Sequence, residues 1–431
     1  MTRLCVAGGR VLHPDQTITR ADVWIDVDAG EISHVGPPES GPTADETLDA
    51  AGGLVMPGLV NAHTHAAMTL LRGYADDKPL KDWLREDIWP VEAVLEPADI
   101  RAGTELALLE MIRSGTTAFG DMYFEMGEVA AAVEDAGLRA RLGHGVITVG
   151  KDDDAVTAEI AEALDVADSL DGRGEGRVRT AVMPHSLTTV DESNLRELAD
   201  NAHRLGVPIH FHANETTDEV EPIVANHEQR PLAYAAELGL LRSDTWLAHG
   251  VHLEDGEIER LAERDSAVVH CPASNMKLAS GAAPVPALRA ADVTVALGTD
   301  GAASNNDLDM FDEMRDAAML GAHAAGDAGA VPAEAVVEMA TAGGADALGL
   351  PVGRVVEGAA ADLAVLDLEA PHLTPHHELL SHLVYAARGS DVRHTICDGA
   401  VLMRDREVST LDAVAVRERA ETQAEELIAR A

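Results

Sequence analysis

The stretch "PGLVNAHTH" ends an apolar run with His63 and His65, two residues apart. In a β-strand, positions i and i+2 share a face, so the two imidazoles converge on one point. Converging imidazoles suit a metal ion better than a packed core. Taken alone, an H-x-H pair is structural as often as it is functional, and the other strand ends must decide. They carry His185, then His210, His212 and Glu215, then His249 and His252, then His270, and finally Asp300. With 19 histidines in 431 residues, random placement would rarely supply so many strand ends. Buried structural histidines scatter and satisfy themselves with backbone partners. Imidazole and carboxylate donors on a rigid scaffold, with one position open to water, describe a catalytic zinc-type centre. Iron(II) or another divalent ion fits the same donors.

The elements that must position these groups are short apolar strands alternating with helical patterns from residue 54 to about 350. Candidate strands are "LVMPGLVNAHTH", "TTAFGD", "RARLGHGVI", "VRTAVMPHS", "VPIHFHANE", "TWLAHGVHL", "AVVHCPASN" and "VTVALGTDG". Helical stretches such as "PADIRAGTELALLEMIRSG" and "DESNLRELADNAHRLG" lie between them, the second closing on Gly206 as a C-cap. Eight strands with intervening helices predict a (β/α)8 TIM barrel, whose chemistry sits at the carboxyl ends of its strands. No glycine-rich phosphate loop follows a strand, which argues against a dinucleotide fold. Both chain ends read as short strands and turns that pair into one small β-sandwich. The expected organisation is a composite sandwich from 1–56 and 352–408, a catalytic barrel over 57–351, and a terminal helix over 409–431.

Composition narrows the partners. Asp and Glu outnumber Lys and Arg by 75 to 32, a net charge of −43, and lysine occurs only at 78, 81, 151 and 277. Self-repulsion of that size destabilises a compact state unless salt screens it. The acids are spread over amphipathic segments such as "KDDDAVTAEIAEALDVADSLDG", the pattern of a solvated, salt-adapted surface. A nucleic-acid partner is excluded on charge. No apolar run approaches a membrane span of about 18 residues, and the N-terminus lacks a signal-peptide core. The cysteines, Cys5, Cys271 and Cys397, form no disulfide framework. A cytoplasmic protein, assembled as a homo-oligomer and acting on a small molecule, is the expectation.

Four segments, "PGLVNAHTH", "HANET", "LAHGVHL" and "GTDGAASNN", in this order and spacing, closely resemble the amidohydrolase superfamily. The resemblance covers nearly the whole chain, including "GRVVEGAAADLAVLD". With "LLRGYADDKPLKDWLREDIWPVE" and "GDMYF" it narrows to the methylthioadenosine/S-adenosylhomocysteine deaminases and 5′-deoxyadenosine deaminases. Carried over, it implies His63, His65, His212 and Asp300 as metal ligands. The H-x-x-E spacing selects His212 with Glu215 and leaves His210 behind the ligands or in the core. The lysine that would bridge two metals at the end of strand 4 is missing, and His185 stands there, so one divalent metal per chain is expected, zinc or iron(II).

The implied reaction is hydrolytic deamination of 5′-modified adenine nucleosides. Asp300 would take a proton from the attacking water, Glu215 would protonate the purine N1, and His249 would orient the oxygen. The resemblance also assigns Glu92 to the ribose hydroxyls, and Trp83 and His185 to the nucleoside pocket. The alternative is another nitrogen heterocycle, such as guanine, a pterin or a triazine, which would need no ribose partner. One departure bears on the substrate. Relatives that hold a homocysteine carboxylate carry arginines at the end of strand 3 and in the following loop, where this chain has His144. Arg141, an odd number of residues away, is expected to face outward. The sequence therefore predicts a preference for 5′-deoxyadenosine or methylthioadenosine over S-adenosylhomocysteine.

Overall fold

The computed structural model describes residues 2–38 and 40–431. Eight strands run through the middle of the chain. They are β1 (Leu59–Thr64), β2 (Thr116–Tyr123), β3 (Arg139–Val146), β4 in two pieces (Val178–Thr180 and Met183–Pro184), β5 (Ile209–Ala213), β6 (Thr245–His249), β7 (Ala267–His270) and β8 (Val295–Leu297). Neighbours pair in parallel from β1 to β4 and from β5 to β8. The bridges Val182–Ile209 and Ser186–His212 join the two halves. The Asp300 N–H, just past β8, donates to the His63 carbonyl at 3.0 Å and brings the last strand beside the first. The result is a TIM-type barrel.

Small residues fill its interior. Val60, Ala62, Ala118, Ala181, Val269 and Ala296 pack there with Leu348, at the end of the helix Ala342–Leu348. The outer helices bury one stripe each. In Glu192–Leu205 the buried positions are Leu195, Leu198, Ala199 and Ala202, a spacing of three and four, and Gly206 ends the helix in the left-handed region at φ 70°.

The terminal segments form two sheets. Arg3–Ala7, Asp22–Asp26, Glu31–Gly36 and Glu46–Asp49 make one, and Gly53–Pro57, Leu363–Asp367 and Val392–Cys397 lie central in the other. Leu4, Val6, Ile25, Val55, Val365 and Ile396 form the core between them. The helix Ala413–Arg430, capped by the Asp412 carboxylate, lies on the barrel helix Pro97–Ser114, with Arg419 paired to Glu105 at 2.7 Å and Arg430 paired to Asp99. Among the described residues no helix is long and apolar enough to cross a membrane.

The strand expected over "LVMPGLVNAHTH" is in fact two. Gly53–Pro57 pairs antiparallel with Leu363–Asp367 in the sandwich, and β1 begins the barrel two residues later. The break falls at Gly58, where a Cβ would lie 2.1 Å from Thr117 Oγ1. Only glycine lets the chain pass that close to β2 as it changes sheets.

Candidate active site

β1, β5 and β6 end together and bring His63, His65, His212 and His249 into one cluster with Asp300. Ring centroids stand 4.9 Å apart for His63 and His65, 4.8 Å for His63 and His212, and 5.4 Å for His212 and His249. Asp300 Oδ1 lies 3.4 Å from His63 Nε2 and 3.2 Å from His65 Nε2. Its other oxygen, Oδ2, accepts from the hydroxyls of Ser274 and Ser304, each at 2.7 Å. The two serines therefore turn Oδ1 toward the imidazoles.

Hydrogen bonds to Nδ1 fix the tautomers of all four rings. His65 Nδ1 donates to the Met122 carbonyl at 2.5 Å, His212 Nδ1 to the His185 carbonyl at 2.8 Å, and His249 Nδ1 to Asn275 Oδ1 at 3.0 Å. His63 is held through a relay. His210 Nδ1 lies 2.8 Å from the Trp246 carbonyl, which can only accept, so His210 Nε2 is an acceptor and takes the His63 Nδ1 proton at 2.9 Å. Each ring, when neutral, thus aims an Nε2 lone pair at the cluster; against burial, the Asp300 carboxylate raises the His65 imidazole to about 9, so this ring sheds a proton when it binds a metal. His63 Nε2 is buried without a hydrogen-bond partner among the described residues, and burial pushes His63 down to about 4, so the ring is neutral. An orphaned acceptor facing a buried carboxylate and other lone pairs fits a metal ion. His63, His212, His249 and Asp300 offer ligand atoms within 4.8 Å of one another. This tightest foursome includes His249, assigned above to the attacking oxygen, and leaves out His65, although His65 stands as close to Asp300 as His63 does.

The cluster floors a cavity of about 430 Å³. Glu215 lines its wall, with Oε1 accepting from Ser280 Oγ at 3.3 Å and Oε2 3.7 Å from His249 Nε2. Burial raises its carboxyl above the ordinary range. His185 also lines the cavity, 4.6 Å from His212, its Nδ1 3.1 Å from Thr189 Oγ1. Trp83 and Glu92 come from the segment over the mouth: the Trp83 indole donates to the Ala75 carbonyl at 3.1 Å, and burial pushes Glu92 up to about 7 against the opposing effect of the Tyr123 hydroxyl.

Other expected residues lie elsewhere. His144 does not line the cavity. It points out of the barrel toward the helix Asp153–Ser169, where Nε2 lies 3.2 Å from Glu159 and Nδ1 3.4 Å from Glu162. Arg141, expected to face outward, instead points inward, donating to the carbonyls of Leu348 at 2.5 Å and Thr180 at 2.6 Å. The inward face of β3 is Arg141, Gly143 and Gly145, and a Cβ on Gly143 would meet Met183 at 2.4 Å. Two glycines carry no hydropathy, so the alternation that would have shown which face is inside is missing. His270 is buried with Nδ1 unpartnered among the described residues and burial holds it near 3, while His252 donates to the Ser280 carbonyl at 3.0 Å; neither lines the cavity. As that carbonyl only accepts, His252 Nε2 is the donor.

Sequence reasoning missed Tyr123, Ser274, Asn275 and Ser304. Each stands in or beside a quoted motif ("GDMYF", "HCPASN", "GTDGAASNN"), Tyr123 at the end of β2 and the others in the short helices Pro272–Lys277 and Ala302–Asn305, where single hydroxyls and amides carry no periodic signal.

The sequence model of the amidohydrolase family matches residues 54–402. Among curated relatives, the chain is 66% identical over 428 residues, 99% of each chain, to the 5-methylthioadenosine/S-adenosylhomocysteine deaminase of Halobacterium salinarum. It is 47% identical over 401 residues, 93% of this chain and 94% of the relative, to the 5′-deoxyadenosine deaminase of Methanothermobacter thermautotrophicus. Among solved structures, an adenosine deaminase from Xanthomonas campestris with bound zinc superposes with a TM-score of 0.93 at 39% identity, covering 99% of both chains. The chain belongs to the amidohydrolase family.

Proposed function

We propose that this protein hydrolytically deaminates 5′-modified adenine nucleosides (5′-deoxyadenosine, methylthioadenosine, S-adenosylhomocysteine and adenosine) to the inosine analogues and ammonia. The observation that carries the reading is the placement of Glu215, a carboxyl raised by burial, beside His249 and the Asp300 cluster in a cavity that Trp83 and Glu92 also line. The named relatives support the same substrate class. His63, His65, His212 and Asp300 would hold one divalent metal, with His249 Nε2 adjoining, and the nitrogen and oxygen donors suit zinc, with iron(II) as the alternative. Such an ion supplies the Lewis acidity that makes water nucleophilic near neutral pH.

The chain's own groups do the rest. Glu215, whose burial favours the protonated form, gives its proton to the purine N1 and makes C6 electrophilic. Asp300, its Oδ2 tied by two serines, accepts a proton from the attacking water. His249, whose Nε2 is left an acceptor by Asn275, accepts a hydrogen bond from that water and orients it. Glu92 holds the ribose hydroxyls, and His185 and Trp83 confine the nucleoside. Asp300 passes the proton it took from water to the 6-amino group, and as the tetrahedral carbon collapses and ammonia leaves, the C6 hydroxyl proton returns to Glu215.

No arginine lines the cavity among the described residues. A homocysteine carboxylate lacks the bidentate partner that best offsets its desolvation. Methylthioadenosine or 5′-deoxyadenosine is therefore expected to exceed S-adenosylhomocysteine in kcat/KM. Incubating the purified protein in molar salt with a panel of adenosine derivatives, and following loss of the adenine absorbance, tests both statements. Loss of absorbance with none of them refutes the deaminase reading, and S-adenosylhomocysteine as the best substrate refutes the ordering.

A further inference from the structure

Three of the chain's four lysines surround the cavity mouth. Lys78 is spent within the covering segment, 2.6 Å from Asp87 and 3.4 Å from Glu86. Lys277 ties that segment to the loop after β8, meeting Asp76 at 2.6 Å, the Ala303 carbonyl at 3.1 Å and the side chain of Asn306. Lys81 differs from both. It lines the cavity, its side chain is 70% exposed, and its one ion-pair partner is Asp218 across the mouth, at 3.6 Å and 61% exposed. An ion pair so open to solvent contributes little to the fold, and a ligand can take over either partner at small cost.

The proposed chemistry sets which end of the substrate reaches this pair. Glu215 and Asp300 act on N1 and C6, so that edge of the purine faces the floor. The ribose leaves from the opposite edge toward Glu92 on the covering segment, and the 5′ substituent continues to the rim. There Lys81 is, among the described residues, the sole lysine or arginine in the lining, with Asp218 beside it, and Pro79, Leu80 and the half-exposed Trp89 offer apolar surface to an alkyl thioether. A free amino acid carries its ammonium and carboxylate on one carbon, so an adjacent cation and anion match it head to tail.

We propose that Lys81 and Asp218 form a subsite for the zwitterionic tail of a 5′-aminoacyl-thioether nucleoside, Lys81 holding the α-carboxylate and Asp218 the α-ammonium. The inference rests on the deaminase reading above and adds a residue-level account of tail recognition. A contact pair survives molar salt better than long-range attraction does, because the Debye length near 1 M is about 3 Å. The subsite would admit S-adenosylhomocysteine without giving it the fork geometry of an arginine.

The test compares S-adenosylhomocysteine, methylthioadenosine and 5′-deoxyadenosine as substrates of the wild type, Lys81→Met, Asp218→Asn and Lys81→Arg at one salt concentration. Each neutralising variant should lower kcat/KM for S-adenosylhomocysteine about three- to tenfold, the worth of one partly exposed charged contact, and should do so through KM. The two substrates without a zwitterion should stay within about twofold, as expected for a surface change away from them. Lys81→Arg, which keeps the charge and adds the fork, should keep kcat/KM for S-adenosylhomocysteine at or above the wild-type value. Equal losses on all three substrates would show that Lys81 acts on the covering segment, and no loss on any would show that the tail lies elsewhere; either result overturns the proposal. So does a wild type that accepts the tailless nucleosides and not S-adenosylhomocysteine. A wild type that accepts no adenine nucleoside refutes the underlying function instead, and the two failures are distinct.

Discussion

Glu215→Gln is expected to retain the metal and the fold while lowering turnover of methylthioadenosine by about two to four orders of magnitude, the usual worth of a positioned proton-transfer group. The amide matches the carboxyl in shape and still accepts from Ser280 through its oxygen. It cannot deliver a proton to N1. The side chain is buried against His249 at 3.7 Å, so bulk water is poorly placed to substitute. Steady-state kinetics alongside metal analysis of the same preparation checks this. Near-normal turnover would mean that another residue protonates the ring, and loss of the metal would mean that Glu215 is a ligand.

The metal carries the second large effect. Carefully purified protein should contain close to one divalent ion per chain, and a chelator should abolish activity that zinc restores. His65→Ala should fail to retain the ion, since it removes one Nε2 from beside Asp300. His210→Phe offers a subtler case. It keeps a ring stacked near Trp246 but removes the acceptor that fixes the His63 tautomer. Loss of such an outer partner typically weakens metal binding about 10- to 100-fold. Competition with a chromophoric chelator measures it. Two tightly held ions per chain, or unchanged affinity in His210→Phe, would contradict the assignment.

Much of this site was legible in the chain because its chemistry follows strand periodicity. His63 and His65, or His210 and His212, differ by two residues and must share a face. Which member of the second pair meets the cluster came from its spacing to Glu215, and the structure shows why both point inward: His210 sits one layer down, behind His63. The barrel was legible for a similar reason, since each apolar strand is separated by a helix with a readable stripe and cap, as at Gly206.

Where alternation fails, the reading failed. On β3 the inward positions Gly143 and Gly145 have no side chain, so the sequence places His144 in the cavity and Arg141 on the surface. The structure reverses both. The absence of an arginine from the cavity lining among the described residues, and not the placement of His144, is what bears on the substrate tail. The break at Gly58 was hidden for another reason. An uninterrupted apolar run serves two sheets, and only a 2.1 Å approach to Thr117, a long-range fact, separates them. Ser274, Asn275 and Ser304 orient the reacting groups from the short helices after β7 and β8, through single hydrogen bonds that leave no pattern in sequence.

The central claim, hydrolytic replacement of the 6-amino group, is tested most directly by product mass after turnover of methylthioadenosine in ¹⁸O-labelled water. The expected product is a purine nucleoside intact at its glycosidic bond, carrying one solvent oxygen at C6, with one ammonia released per molecule converted. Release of free adenine, loss of the methylthio group, or unlabelled product would contradict it.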